Sequence, residues 1–339
     1  MFGIRTRVRV FRRRLLRKIW RRPAPVILMY HRVGEPAYDP WGLSVSRSNF
    51  ADQLRCLAHG RRLVAMDTFV NGLRNRQLTG REVAITFDDG YVDNLLAAKP
   101  LLEQVGAPAT VFITTQRLGA TDAFWWDELA QMCLGTDYAL DTEVEVAGQT
   151  LRVAWSAETQ PRFSRWSWNE PPKSERERIY LELWRLLQRL GEAPRNEAMT
   201  LLRQRMGTTH TAAGDLPMRA EDIATLVTGG LIQIGGHARN HVALSSLSFA
   251  AKREEIAVCK TELEQITSKS ITGFAYPFGD RDDEAMAITQ RAGYDWAVST
   301  RSAPVDPDCY DLFDLPRLQA LDWTGAELME QIARIERAA

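Results

Sequence analysis

The stretch VAITFDDGY at residues 83–91 joins a short apolar run to two aspartates, a glycine and a tyrosine. An uninterrupted apolar run of this length is typical of a strand buried on both faces, as in a parallel sheet. Similar runs lie on either side of it, VILMY at 26–30 and ATVFI at 109–113, and a helical stretch from about 92 to 104 precedes the second. Strand, helix and strand at this spacing predict right-handed βα repeats.

The same rhythm returns in the last third of the chain. Four further strand-like segments, separated by helical stretches, follow at 231–234, 271–276, 296–298 and 315–318. About seven strands therefore alternate with helices. This alternation predicts an α/β fold, as a closed or nearly closed barrel with its chemistry at the carboxyl ends of the strands.

Residues 120–215 interrupt the rhythm and are predicted to form an α+β insertion. They hold six of the ten tryptophans, namely Trp125, Trp126, Trp155, Trp166, Trp168 and Trp184. Apolar alternation on both sides of Gly148 predicts a hairpin, and Ser174 with Glu177 predicts the capping box of a helix. We expect most of these indoles to form the core of the insertion. Trp125 and Trp126, nearest to the preceding strand, are the expected exceptions.

The first 22 residues contain ten arginines or lysines and no acid. Since the whole chain balances 43 basic against 43 acidic residues, the rest carries ten more acids than bases. Apolar residues recur at helical spacing between the arginines, so we predict a basic amphipathic arm at 1–22 that binds an anionic membrane surface. A solvated, disordered arm and a nucleic-acid-binding arm are the alternatives, and the apolar stripe favours lipid over nucleic acid.

Two features predict where the protein works. The basic segment lacks the apolar core of 7–15 residues that a secretory signal contains. The four cysteines are scattered and form no zinc-binding pattern, as expected of reduced thiols. The sequence therefore predicts a cytoplasmic protein, peripheral on the inner membrane face.

Metal-type ligands follow two of the predicted strands. Asp88 and Asp89 end one strand, and His237 and His241 follow another. One carboxylate and two imidazoles can hold a divalent metal and leave positions open for water and a substrate oxygen. A second carboxylate that does not bind the metal can take a proton from that water. Adjacent aspartates can divide these roles because successive side chains of a strand point in different directions.

Three segments together resemble the signatures of the polysaccharide deacetylases, also called NodB-type carbohydrate esterases. They are ITFDDGY at 85–91, HARNH at 237–241 and FAYPFG at 274–279. The resemblance implies a distorted (β/α)7 barrel, built from residues 23–119 and 216–330, that hydrolyses N-acetyl and sometimes O-acetyl groups on glycans. Residues 120–215 then form an insertion in that barrel.

The resemblance also implies roles for single residues. Asp88 would be the general base, and Asp89, His237 and His241 the metal ligands. Zinc is the default metal, with cobalt, nickel and manganese compatible with the same donors. The residues expected to contact the acetylated amino-sugar glycan are Tyr91, Tyr276, Pro277, Phe278, Trp125, Trp126 and Arg317.

Two departures from the family pattern stand out. Ala275 occupies the place of an arginine that commonly orients the base, and no histidine follows His241 to serve as the general acid. His31, at the end of the first strand, is the best-placed substitute acid. Asp314 and Arg317, which flank the last strand, are candidates for the missing orienting contacts.

The favoured function is a metal-dependent deacetylase that acts on a nascent or lipid-linked saccharide in cell-surface or exopolysaccharide biosynthesis. One alternative is a catalytically silent glycan-binding protein of the same fold. The presence of Asp88 argues against it, because a protein that only binds metal needs no non-ligating carboxylate. Another alternative is an active barrel with a different amide or ester substrate.

Overall fold

The structure is a computed structural model, and it describes residues 23–146, 148–157, 163, 165–207 and 213–338. The predicted amphipathic arm at 1–22 lies outside these residues. Within them the strands are β1 (Val26–Tyr30), β2 (Arg32–Val33), β3 (Ser44–Val45), β4 (Arg62–Leu63), β5 (Glu82–Phe87), β6 (Ala109–Ile113), β7 (Leu140–Val146), β8 (Gln149–Trp155), β9 (Ile232–Gly236), β10 (Gly273–Ala275), β11 (Trp296–Val298) and β12 (Leu318–Gln319).

Seven of these strands form one curled parallel sheet in the order β11-β10-β9-β6-β5-β1-β12, with β4 paired to the start of β5. Residues 312–319 link its two edges. On the β11 side the Leu315 amide donates to the Ala297 carbonyl oxygen at 3.0 Å, and the Ser299 amide donates to the Leu315 carbonyl oxygen at 2.9 Å. The same segment then continues into β12, which pairs with β1. The curled sheet and its helices confirm the predicted (β/α)7 barrel.

Helices cover the sheet and connect its strands. The α-helices are Arg47–Gly60, Met66–Arg74, Lys99–Val105, Trp125–Leu134, Glu175–Gln188, Glu192–Met206, Ala220–Leu226, Phe249–Arg253, Cys259–Thr267, Asp283–Arg291 and Gly325–Ala338. Two π-helical turns, Asn94–Ala98 and Glu254–Val258, precede the helices Lys99–Val105 and Cys259–Thr267. None of the helices in the described ranges is long and apolar enough to cross a membrane.

Close packing inside the barrel depends on glycines at two strand positions. A Cβ at Gly273 would lie 2.2 Å from the ring of Trp296, and one at Gly235 would lie 2.4 Å from the ring of Phe112. The two rings contact each other edge to face at 5.9 Å. The absence of side chains at these positions of β9 and β10 therefore gives the aromatic rings the space they fill.

The segment between β6 and β9 has a hydrophobic core of its own. The antiparallel hairpin of β7 and β8, around Gly148, packs with the helices Trp125–Leu134, Glu175–Gln188 and Glu192–Met206. The predicted hairpin is confirmed, and so is the capping box: Ser174 Oγ accepts from the Glu177 amide, and the Glu177 carboxylate accepts from the Ser174 amide at 3.1 Å. The division of the chain at residues 120 and 215 stays a prediction.

Candidate metal centre and active site

Parallel strands bring their carboxyl ends to one face of the barrel, and the predicted site residues follow those ends. His31 follows β1, Asp88 and Asp89 follow β5, and His237 follows β9. Because β1 and β9 lie on the two sides of the β5–β6 pair, the sheet order brings these residues together.

The metal-type donors converge on one carboxylate oxygen. Asp89 Oδ1 lies 3.3 Å from His237 Nε2 and 3.2 Å from His241 Nε2. All three side chains are buried, and one donor atom from each lies within 4.8 Å of the others. Among the described residues this is the group of His, Cys, Asp and Glu side chains that meets these conditions for holding a metal ion.

The hydrogen bonding of His237 fits a metal between these donors. Its Nδ1 lies 2.8 Å from the carbonyl oxygen of Ala275, so Nδ1 carries the proton and donates it. In the neutral ring Nε2 then carries a lone pair and no proton. It faces Asp89 Oδ1, which has no hydrogen-bond partner in the described structure. Two lone pairs this close repel each other unless a proton or a metal cation lies between them, and the donor set fits a divalent metal.

The electrostatics keep two of the ligands in the form that binds metal. Burial raises the pKa of Asp89, but the interactions with His237 and His241 outweigh it and hold that pKa far below the ordinary range. Burial lowers the pKa of His241 to about 4, so its imidazole is neutral at neutral pH. Burial likewise lowers the pKa of His237, but the charges of Asp88 and Asp89 raise it overall. A bound cation and a proton therefore compete for His237.

The backbone at the site is strained. Four of the six non-glycine residues with positive φ in the described ranges lie here: Asp89 at 74°, Ala238 at 59°, His241 at 49° and Phe278 at 58°. Residues with side chains rarely adopt this left-handed region, and surrounding contacts must hold them there. The strain is localised where the ligands must converge.

The loop that carries both histidines is held from two directions. On one side the Glu255 carboxylate accepts hydrogen bonds of 2.9 Å from the amides of Arg239 and Asn240. On the other side Arg195, from the helix Glu192–Met206, donates to the carbonyl oxygens of His241 at 3.1 Å and Asn240 at 2.7 Å. The insertion therefore fixes the second histidine of the metal site.

Arg195 is an unusual guanidinium because carbonyl oxygens, not a carboxylate, accept its hydrogen bonds. It is buried, its charge lies 5.7 Å from the ring centre of Trp125, and burial lowers its pKa to about 10. The group is still charged at neutral pH. No sequence pattern points to this role, since the arginine lies 46 residues from the histidine whose carbonyl it holds.

Asp88 is not one of the three converging donors and forms a two-point ion pair with Arg317. Arg317 Nη1 and Nη2 donate to the two carboxylate oxygens at 2.6 and 2.7 Å. The same guanidinium donates to Thr86 Oγ1 and to the Ser299 carbonyl oxygen, both at 3.0 Å. Burial raises the pKa of Asp88, but the charges of Arg317 and His237 outweigh it, so the carboxylate ionises below its ordinary range.

Arg317 therefore makes an orienting contact with Asp88, the role for which it was a candidate. It does not lie on the protein surface. It is fully buried, so the expectation that it contacts the glycan finds no exposed group there. Asp314, the other candidate for orienting contacts, pairs with Arg281 at 2.6 Å. The arginine that holds Asp88 therefore comes from the segment that joins the edges of the sheet, while the Ala275 carbonyl oxygen accepts from His237.

Four other predicted glycan contacts are also packed inside the protein, namely Tyr91, Trp126, Tyr276 and Pro277. The Tyr91 hydroxyl donates to Asp127 at 2.7 Å and accepts from the Trp126 indole at 2.8 Å. The Trp126 ring lies 4.7 Å from the ring of His241. Tyr91 and Trp126 therefore support the site by packing and hydrogen bonding, because the rest of the protein covers their rings.

The remaining predicted contacts lie at the mouth of the site. Trp125 and Phe278 are half-buried, and the Phe278 ring lies 4.4 Å from that of His241. His31 is also half-buried, and its charge lowers the pKa of both Asp88 and Asp89. Its carbonyl oxygen accepts a bond of 2.8 Å from the Asn94 amide group. The imidazole therefore belongs to the same cluster as the two aspartates.

A second buried charge cluster joins the insertion to the barrel. Arg32, next to His31, contacts Asp93 at 3.1 Å, Asp215 at 2.6 Å and Asp127 at 3.9 Å. Burial raises the pKa of Asp93 to about 6 and that of Asp127 to about 7, because one guanidinium does not fully neutralise three carboxylates. Sequence reasoning missed this cluster. The available signal was an arginine two residues after a buried strand.

Comparison with known proteins agrees with this geometry. A family model described as polysaccharide deacetylase matches residues 75–297. A search of curated proteins gives no match.

Solved structures of the same fold include three bacterial proteins, two of them described as deacetylases. Streptococcus pyogenes PplD in complex with acetate is 17% identical with a TM-score of 0.58, and the match covers 92% of this chain and 99% of that one. IcaB from Ammonifex degensii is 18% identical with a TM-score of 0.56, covering 93% and 97%. The BpsB deacetylase domain from Bordetella bronchiseptica is 15% identical with a TM-score of 0.51, covering 88% and 95%. At these identities the likeness shows the fold.

Replacing Arg195 with methionine is expected to weaken zinc binding by about tenfold, the lower range for lost outer contacts of metal ligands. The physical reason is that the His241 carbonyl loses its donor and the strained loop relaxes. Competition with a chromogenic chelator measures the affinity. Arg205→Met, an exposed position on the same helix, is the matched control. Equal zinc affinity in the Arg195 variant and the wild type would show that the insertion does not hold the metal loop.

Proposed function

The chain belongs to the polysaccharide deacetylase family, and from that premise we propose that it is a metal-dependent hydrolase that removes N-acetyl, or alternatively O-acetyl, groups from a glycan. The observation that carries the proposal is the division of labour between two adjacent aspartates. Asp89 joins two imidazoles in a metal-type donor set, while Asp88 stays outside that set on Arg317. A protein that only bound a metal or a glycan would have no use for the second, separately held carboxylate.

The proposed reaction needs a base next to the metal site. Asp89, His237 and His241 would hold a divalent metal, which when bound would make water more acidic and polarise the acetyl carbonyl. Asp88 takes the proton of the attacking water. It is suited to this role because Arg317 keeps it ionised and fixes both of its oxygens.

The chain also offers a donor for the developing oxyanion. The Tyr91 amide lies between Gly90 and Val92, whose backbone groups pair with residues 216 and 218. The pattern of this bridge leaves the Tyr91 N–H without a backbone acceptor in the described ranges. We assign that N–H to the oxyanion of the tetrahedral intermediate.

His31 is the proposed general acid. One of its ring nitrogens, Nδ1, is buried without a hydrogen-bond partner in the described structure, and the residue as a whole is only half-buried. In the proposed step the C–N bond breaks as His31 gives its proton to the leaving amine. The products are acetate and the free amino sugar. The place of the histidine that the family usually supplies late in the chain is thus taken by one on the first strand.

The proposed substrate is an acetylated amino-sugar glycan, nascent or lipid-linked, in cell-surface or exopolysaccharide biosynthesis. Zinc is the proposed metal, and cobalt, nickel and manganese suit the same donors. Membership of the polysaccharide deacetylase family supports an acetylated glycan in general. A glycan-binding protein without activity is the alternative.

Acetate release from acetylated glucosamine oligomers tests the proposal. We expect release by the zinc-loaded enzyme, none after metal removal, a loss of at least about 10³-fold in Asp88→Asn and of about 10²-fold in His31→Ala. His59→Ala, an exposed histidine on a helix, is the control for His31 and should be fully active. Tight zinc binding without acetate release from any oligomer would favour the inactive glycan-binding protein.

The two-point ion pair predicts that lysine cannot replace Arg317. Arg317→Lys keeps the positive charge but removes the fork that fixes Asp88, so kcat should fall about 10²-fold with KM little changed. The exposed Arg301→Lys is the matched control. Thermal unfolding of both variants separates a misplaced base from a damaged fold. Wild-type kcat in Arg317→Lys would remove the argument that this pair orients the base.

For location, we propose that the protein works at the anionic inner face of a membrane, with residues 1–22 as its attachment. The support is the sequence alone, ten basic residues with an apolar stripe. The full chain is expected to sediment with vesicles rich in phosphatidylglycerol and not with phosphatidylcholine vesicles. A chain lacking residues 1–22 should stay in solution with either. Binding to duplex DNA with no preference for vesicles would assign the arm to nucleic acid instead.

A further inference from the structure

Three tryptophans far apart in the sequence form a stack of indole rings. Trp168 lies 5.3 Å from Trp41 with 22° between the ring planes, and Trp41 lies 4.0 Å from Trp184 with 32° between them. We call Trp168, Trp41 and Trp184 the indole stack. Trp41 comes from the loop after β2, and the other two come from the insertion. The stack therefore spans both parts of the chain.

The outer ring of the indole stack is exposed although it is a large apolar side chain. Trp168 is 50% exposed, whereas Trp155 and Trp166, the tryptophans that precede it in the sequence, are 7% and 4% exposed in the core of the insertion. A single exposed apolar residue is ordinary on a protein surface. Trp168 differs because its backbone is hydrogen-bonded to Pro40 and because Trp41 and Trp184 stack one after the other on its inner side.

Several contacts fix the position of the indole stack. The Trp168 amide donates to the Pro40 carbonyl oxygen at 2.9 Å, next to Trp41. The Trp41 indole N–H donates to the Tyr180 hydroxyl at 2.7 Å. With its backbone bonded and its inner face covered by Trp41, the outer indole is ordered before any ligand arrives. A ligand that stacks on it therefore loses less conformational entropy in binding.

The inner end of the indole stack reaches the metal-type donors. Trp184 lies 6.0 Å from Phe278, and Phe278 lies 4.4 Å from His241. Four ring-to-ring steps, none longer than 6.0 Å, thus lead from the protein surface to a proposed metal ligand. The exposed ring of Trp168 therefore lies at the outer end of a continuous row of rings that begins at the metal-type donors.

We propose that the indole stack is a sugar-binding subsite, on which a pyranose ring of the glycan stacks while another unit of the same chain lies at the metal site. This inference rests on the proposed function. The C–H groups on one face of a pyranose make an apolar surface that fits a flat indole, and the ring hydroxyls point outward. The indole stack would make the enzyme act on oligomers better than on single sugars.

The residues around the exposed indole favour a sugar over a lipid surface. Ser167 and Asn169, on either side of Trp168, are polar, and the exposed Glu170 follows them. Polar neighbours can bond to sugar hydroxyls. A segment that enters a membrane interface needs a continuous apolar face, and here polar residues flank the single exposed indole. The nearby charges are mixed, since Glu170 pairs with Lys173 at 3.9 Å.

The test compares Trp168→Ala with the wild type on acetylated glucosamine oligomers of increasing length. We expect kcat/KM on the longest oligomers to fall about tenfold in Trp168→Ala, mainly through KM, and the loss to shrink as the oligomer shortens. Trp168→Phe keeps a flat ring and should recover most of the loss. Phe249→Ala, an exposed aromatic residue outside the stack, is the matched control.

Binding by enzyme without turnover separates failure of the subsite from failure of the proposed function. In the Asp88→Asn background, adding Trp168→Ala should weaken oligomer binding about tenfold by calorimetry. Weaker binding without acetate release by the wild type would keep the subsite and reject the deacetylase. Normal release with no effect of Trp168→Ala on any oligomer would reject the subsite and keep the deacetylase. Loss of binding to anionic vesicles with unchanged oligomer affinity would assign Trp168 to a lipid surface and also overturn the inference.

Discussion

The buried pair of Asp88 and Arg317 is the interaction on which the arrangement of the site depends. Burying an ion pair removes both charges from water, and only complete hydrogen bonding offsets that cost. Here the two carboxylate oxygens meet the two ends of one guanidinium, which also donates to Thr86 and Ser299. The pair links the end of β5 to the segment that joins the edges of the sheet, so the contact that fixes Asp88 also ties that segment to the middle of the sheet. The removal of either partner would leave a buried charge alone.

Asp88 and Asp89 are neighbours in the chain, but their surroundings differ. Asp88 is paired with a permanent cation, whereas Asp89 faces two imidazoles whose nearest ring nitrogens lie within 3.3 Å of one oxygen. Asp89 also has a left-handed backbone, with φ of 74°. The contacts around Asp89 must therefore hold it in this strained conformation.

The segment between β6 and β9 does more than cover the barrel. Through Arg195 it holds the carbonyl of one metal-type ligand, and through Asp215 it pairs with Arg32 beside the first strand. Trp184 places an indole between the site and the surface. These contacts are of three different kinds: a hydrogen bond from a guanidinium to a carbonyl oxygen, a buried ion pair and aromatic stacking. Each of them ties the geometry of the barrel mouth to the insertion.

The sequence by itself determined the barrel and the central residues of the site. Apolar runs predicted the strands, and in parallel strands the residue after each run must lie at the same face, a rule that is enough to place Asp88, Asp89 and His237 together. Only the tertiary structure decided which residues assist them. Arg317 and Arg195 lie 229 and 46 residues from the groups they hold. No period or spacing in the sequence reveals such a contact, because long side chains meet wherever packing brings their elements together. The same holds for the tryptophans: hydrophobicity predicted a core for the insertion, but burial of Trp166 and exposure of Trp168 follow from which face of the segment the rest of the protein covers.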